Sequence, residues 1–112
     1  MKFSETIIDY VPVIGLEGRL DSASAAACDA HLLEKAGDGR GALIIDVSGV
    51  DHVSGSGLRS LVLAARFAAS RQIGFAVCGW RGQAAEMVEL ADLAGQLNAH
   101  PDVGSAIREF GQ

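Results

Sequence analysis

Ala42-Leu43-Ile44-Ile45-Asp46-Val47, then Ser48–Gly57 (SGVDHVSGSG), then Leu58-Arg59-Ser60-Leu61-Val62-Leu63, is the stretch whose reading decides the fold. Ala42–Val47 is a nearly continuous apolar run, the pattern of a strand covered on both faces or central in a sheet. From Leu58 to Arg71 the spacing changes, and Leu58, Leu61, Val62, Ala65 and Ala69 recur at helical intervals along one inward face. Ser48–Gly57 between them reads as a loop. A buried strand leading through a Gly/Ser loop into an amphipathic helix is the first part of a parallel crossover.

The flanking sequence repeats this alternation. Phe3–Tyr10 and Val13–Leu20 are apolar, β-branched runs separated by Val11-Pro12, and predict two strands. Asp21 and Ser22 can cap a helix over Ala23–Lys35, which ends before the Gly37-Asp38-Gly39 breaker. Ile73–Cys78 predicts a further strand, and Gln83–Ala94 a helix with Met87, Leu90 and Ala91 inward. Leu97–Ala99 reads as a short last strand and Asp102–Phe110 as a closing helix. The expected order is ββαβαβαβα: an α/β fold with a mixed β-sheet and packed helices, its crossovers right-handed. With 112 residues and no repeat, linker or low-complexity tract, one domain over 1–112 is expected.

Composition narrows the function classes. The chain is 49% apolar and 21% charged, a globular balance. Nine Lys and Arg against fourteen Asp and Glu give a net charge of -5, a surface that on average repels a phosphate backbone, so no nucleic-acid partner is expected. MKFSETIIDY has no uninterrupted apolar signal region, and no run reaches the roughly 18 apolar residues that span a bilayer. No membrane insertion and a cytoplasmic location are therefore expected. Cys28 and Cys78 each lie in apolar sequence, where a free thiol behaves as a small buried hydrophobe. His31, His52 and His100 are too far apart for metal-site spacing, and no metal or other cofactor is expected.

The loop Asp51-His52-Val53-Ser54-Gly55-Ser56-Gly57 meets a helix N-terminus, where unpaired N–H groups and the helix dipole favour an anion. Ser54 or Ser56 can equally serve as a simple cap, with the glycines permitting a tight turn. Enzymatic readings fail on particular residues. Gly55-Ser56-Gly57-Leu58-Arg59-Ser60 has Ser60 where a dinucleotide fingerprint needs its last glycine. Around Ser56, a hydrolase elbow would need glycines where Ser54 and Leu58 stand. Receiver-type phosphoacceptor chemistry would need a lysine at a later strand end, and Lys2 and Lys35 both lie elsewhere. The chain is not expected to be an enzyme.

Taken together, these residues resemble the STAS family and, within it, the bacterial anti-sigma factor antagonists. Gly18-Arg19-Leu20-Asp21 looks like the family's G-x-L-D after the second strand, and Leu43–Val50 like its central strand. Ser54–Leu58 is similar to its D-S-S-G-L or S-S-A-G-L loop, and Arg59–Arg71 to the helix beyond. Leu90–Leu97 and His100–Phe110 resemble its later segments. The resemblance implies partner switching in signalling and transcription regulation. The unphosphorylated domain binds an anti-sigma factor with a serine kinase-like ATPase fold, which inactivates it by phosphorylating the loop, and a metal-dependent phosphatase reverses the step. A phosphoserine brings about -1.5 to -2 charges, enough to break an interface without altering a fold.

Aligned on Gly57-Leu58, the family's phosphoacceptor corresponds to Gly55, which has no hydroxyl. Either a neighbouring hydroxyl is phosphorylated, Ser56 being nearer than Ser54, or the domain stays in its binding-competent form. The second is the expectation. Arg59, Leu63, Arg66, Phe67 and Ser70 lie opposite the helix's core stripe, so Leu63 and Phe67 form either a docking patch or a contact under a neighbouring element. The expected partner surface is Asp21, Ser54, Gly55, Ser56, Gly57, Arg59, Leu63 and Arg66, although capping is an equal use for Asp21. Trp80 either anchors a partner or lies over the adjacent helix. The alternative function is a non-switching STAS subunit of a transporter or signalling complex, since such a subunit needs no phosphoacceptor.

Overall fold

The computed structural model describes residues 1–36 and 41–110; the Gly37-Asp38-Gly39 breaker lies outside them. The elements are β1 (Lys2–Ile8), β2 (Val11–Leu20), α1 (Ser22–Ala36), β3 (Ala42–Val53), α2 (Gly55–Ser70), β4 (Gly74–Cys78), α3 (Gly82–Leu90), α4 (Ala94–Leu97), β5 (Ala99–His100) and α5 (Val103–Phe110). The sheet order is β1-β2-β3-β4-β5. β1 runs antiparallel to β2, and the β2–β3, β3–β4 and β4–β5 pairs are parallel. The mixed α/β architecture is the expected one, with the third helix divided into α3 and α4.

Alternation along the strands builds two cores. Ile14, Leu16, Leu43, Ile45, Val47 and Val77 point to one face, where they pack with residues of α1, α2, α3 and α4. Val11, Val13, Ile44, Ala76 and Cys78 point to the other face, under Ala106 and Ile107 of α5. β3 is therefore covered on both faces, which is why Ala42–Val47 is apolar but for Asp46. Cys28 and Cys78 are both buried and free, and they lie in different cores. Burial pushes each thiol up to about 12, with Asp29 reinforcing Cys28, and Asp46 and Asp102 reinforcing Cys78.

Five boundaries differ from the sequence expectation, one of them the start of α2, which lies at Gly55 and not at Leu58. The first hairpin turns at Asp9-Tyr10, both left-handed at φ 51° and 69°, not at Val11-Pro12. Positive φ at two successive residues is the twist-compatible geometry of a two-residue hairpin. Pro12 is tolerated inside β2 because pairing with β3 begins only at Val13. The stretch expected as a loop from Ser48 is mostly strand: β3 continues beside the long β2 to Val53, with Val50 and Val53 buried. Register shifts at Gly15/Glu17 and Gly18/Arg19 bend this extension, and Gly18, at φ 110°, supplies a conformation that a side chain disfavours.

α3 stops at Leu90 because Asp92 adopts a left-handed φ of 56° and the Leu93 N–H returns to the Val88 carbonyl at 3.1 Å. Leu90 and Ala91 are consequently exposed, and Ala84 and Val88 point inward with Met87 half-buried. α2 ends the same way at Gln72, with Ile73 N–H bonded to the Ala68 carbonyl at 2.8 Å. The last strand is Ala99–His100, shifted from Leu97–Ala99 by the left-handed Asn98. The Asn98 amide and the His100 ring both contact the Glu109 carboxylate, at 2.9 and 2.7 Å, pinning α5 to β5. These two bonds hold the Glu109 carboxyl below its usual range.

Candidate partner-binding surface

The candidate surface sits where β2 and β3 end and α1 and α2 begin. Ser54 caps α2: its hydroxyl accepts from the Gly57 N–H at 3.1 Å, and its own N–H donates to the Leu20 carbonyl at 2.9 Å. Gly57 is fixed by close approach, since a Cβ there would stand 2.2 Å from the Leu20 carbonyl oxygen. Only a glycine lets the first turn of α2 lie against the end of β2. Gly55 is the opposite case: it is exposed, and a Cβ would meet nothing within 4 Å. Ser56 is exposed and its carbonyl accepts from the Ser60 hydroxyl at 3.4 Å.

The free edge of β3 beyond β4 is closed by a side chain. Gln83, on the first turn of α3, accepts from the Val53 N–H at 2.9 Å and donates to the Val53 carbonyl at 2.8 Å. It does for Val53 what a neighbouring strand would, and so positions Ser54 next to it. No sequence pattern distinguishes Gln83 from a solvated helix residue; its partner lies thirty residues away.

Asp21 is engaged as a cap. Its carboxylate accepts from the N–H groups of Ala23 and Ser24 at 3.1 and 3.4 Å and pairs with Arg19 at 3.3 Å, while the Ser24 hydroxyl accepts from the Asp21 N–H. Partial desolvation pushes this carboxyl up, but the Arg19 and backbone hydrogen bonds, with the Arg19 charge, outweigh it and hold the group below its usual range.

Along α2, Leu58, Ser60, Leu61, Ala64 and Ala68 are buried, Val62 and Ala65 are half-buried, and Ala69 is exposed. The inward stripe thus lies one residue away from the expected one at its far end. Arg59, Leu63 and Arg66 are exposed, Leu63 by 43%, and neither arginine has an ion-pair partner among the described residues. Phe67 packs against the core and carries the Arg71 guanidinium 5.0 Å above its ring, so it is withdrawn from the patch. The Trp80 ring also packs on the core and its N–H donates to the Val77 carbonyl at 3.0 Å, which leaves the half-buried indole a structural role. Arg81 donates to the Ser48 carbonyl.

Ser54, Gly55, Ser56, Gly57, Arg59, Leu63 and Arg66 therefore lie on the first three turns of α2 and its cap, with Asp21 at the neighbouring junction through Leu20. Among the described residues no three His, Cys, Asp or Glu side chains gather to hold a metal ion, and no helix is long and apolar enough to cross a membrane. What the arrangement offers chemically is an exposed hydroxyl at Ser56, in the first turn of α2, beside a cationic and apolar helix face.

The fold is shared with known structures. The fold superimposes on an anti-sigma factor antagonist from Mycobacterium paratuberculosis with a TM-score of 0.90 at 22% identity, covering 99% of this chain and 94% of that one. An anti-sigma-factor antagonist (STAS) domain protein from Planctomyces limnophilus gives 0.81 at 19% identity, covering 96% and 95%. The murine anion transporter Slc26a9 gives 0.77 at 18%, over 88% of this chain but 17% of the transporter. No curated protein sequence matches significantly. The family model of the STAS domain matches residues 3–106, nearly the whole of the sheet and helices described above, and the chain belongs to the STAS domain family.

Proposed function

We propose that this chain, as a STAS domain over 1–112, is a cytoplasmic anti-sigma factor antagonist. It binds an anti-sigma factor with a serine kinase-like ATPase fold through the loop 54–58 and the exposed face of α2, and so regulates sigma-dependent transcription. It carries out no catalysis of its own. The observation that carries the reading is Gly55, which is exposed and unobstructed at the head of the Arg59, Leu63 and Arg66 face. The position has room for a phosphoacceptor side chain and lacks one, so the domain stays in its binding-competent form and a partner phosphatase has no substrate at residue 55.

The test is incubation with the cognate kinase and ATP, read by intact mass. The expected result is no phosphate on the wild-type chain, one on Gly55→Ser, and loss of the complex in Arg59→Glu. A phosphate on the wild type that disappears in Ser56→Ala would show that the switch has moved by one residue. Failure to recover any ATPase partner by co-purification, with no effect of Arg59→Glu on any complex, would overturn the reading.

A second reading, a non-switching STAS subunit of a transporter or signalling complex, is supported by the same glycine and by the likeness to part of an anion transporter. Co-purification with a membrane permease instead of an ATPase of the kinase-like fold would decide for it.

A further inference from the structure

The exposed face of α2 is one wall of a groove of about 440 Å³ that opens at Gly55 and whose other wall is built by Met87, Ala91 and Leu93, at the end of α3 and beyond it. Leu58, Val62 and Leu63 make its α2 side apolar, and Leu90, 85% exposed, stands next in sequence to Ala91. Among the described residues, the charged side chains lining it are Arg59 and Arg66, in a chain of net charge -5. They are seven residues apart on one helix, two turns or roughly 10 Å along its axis. Neither is neutralised by an ion pair among the described residues.

The walls of this groove are side chains of α2, of α3 and of the turn that ends α3, where the N–H groups of Ala91, Asp92 and Leu93 already bond back to Met87, Glu89 and Val88, so few backbone groups are offered to an occupant. A bound segment must therefore satisfy its own N–H and C=O groups internally, as a helix does, because burying them unpaired is costly. An extended peptide would add to a sheet edge instead, and the sheet edges are β1 and β5, not α2 and α3. We propose that the groove between α2 and α3 receives an acidic amphipathic helix of the partner, its apolar stripe on Leu58, Val62, Met87 and Leu93 and two carboxylates, two turns apart, on Arg59 and Arg66. The proposal rests on the partner-binding reading for its biological setting, and it adds the partner's chemistry and the α3 wall.

The experiment is selection, on the intact protein, from a displayed library of amphipathic helices that share one apolar stripe and vary Glu, Gln and Lys on its flanks. The selected helices are expected to carry Glu two turns apart. Their amide chemical-shift map should centre on Leu58, Val62, Ala91 and Leu93, and anisotropy should show binding that weakens with salt. Arg59→Glu with Arg66→Glu should weaken it at least about tenfold, as should Ala91→Glu, which places a carboxylate in the groove at an already exposed position. Arg59→Lys with Arg66→Lys should stay within about threefold, because the charge is kept. Basic or uncharged winners, a map on another surface, indifference to the charge reversal, or no winner at all would overturn the proposal. The two readings separate cleanly: an anti-sigma complex that survives Ala91→Glu sinks the groove alone, and acidic helices bound in the groove with no anti-sigma complex sink the antagonist reading alone.

Discussion

The two strand-to-helix junctions, β2 into α1 at Asp21 and β3 into α2 at Ser54, touch each other through the Ser54 N–H and the Leu20 carbonyl, yet they are stabilised in opposite ways. The first is self-sufficient. Asp21, Arg19 and Ser24 satisfy one another and the opening N–H groups of α1 within a few residues. The second has only the Ser54 hydroxyl of its own, and otherwise leans on distant parts of the chain: Leu20 against Gly57, and Gln83 against Val53. A junction whose charged groups are already spent on its own helix has little left for a partner. A junction held from behind by its neighbours can leave Gly55, Ser56 and Arg59 facing solvent.

This contrast can be broken at four places. The largest effect is expected from Gly57→Ala, whose Cβ cannot coexist with the Leu20 carbonyl, so that β2 and α2 must separate; overpacking of this kind costs about 3 kcal/mol, read as a fall in the denaturation midpoint. Gln83→Ala should follow, at about 2 kcal/mol, because it strips two hydrogen bonds from the backbone of the buried Val53. Amide exchange at Val53 and Ser54 should accelerate in this variant with little change at Ala23 and Ser24.

Acid should weaken the first junction and leave the second unaffected. The folded Asp21 carboxyl lies below the usual aspartate range, so its contribution is fully present above the unfolded value and is lost as pH falls through the folded one. Asp21→Asn keeps a capping side chain without a titrating group. The stability difference between wild type and Asp21→Asn should therefore shrink as pH falls from about 5 to about 2, whereas the difference made by Ser54→Ala should not follow that titration. Comparing variants is necessary because Asp102 and Glu109 are also held low and titrate in the same range. The smallest effect belongs to Gly55→Ser, which has open space around it and should change stability by no more than about 0.5 kcal/mol in either direction. A large loss there would mean that the loop's glycine is structural and not a missing phosphoacceptor.

Sequence legibility followed the same division. Ala42–Val47 and Ile73–Cys78 declared themselves because a central parallel strand must be apolar on both faces, and the Ser54–Leu58 motif was recognisable from residue types in order. Ser48–Val53 reads as loop because its apolar residues, Val50 and Val53, stand three apart and not at the two-residue period of a strand, and the strand exists only where the long β2 lies beside it. The break between α3 and α4 was invisible because an aspartate in a left-handed cap looks like any helix-surface aspartate.

By itself the sequence determined the alternation of strands and helices, the buried thiols and the identity of the Gly55 loop, since hydrophobic period and residue type are local properties of the chain. Tertiary structure alone decided that Gly57 is jammed while Gly55 is open, that Gln83 holds the loop, that Phe67 is withdrawn from the patch, and that the arginine face of α2 meets α3 across a groove. Each of these depends on a contact between residues more than ten positions apart or on the free space around one atom, and neither quantity is written in a local pattern.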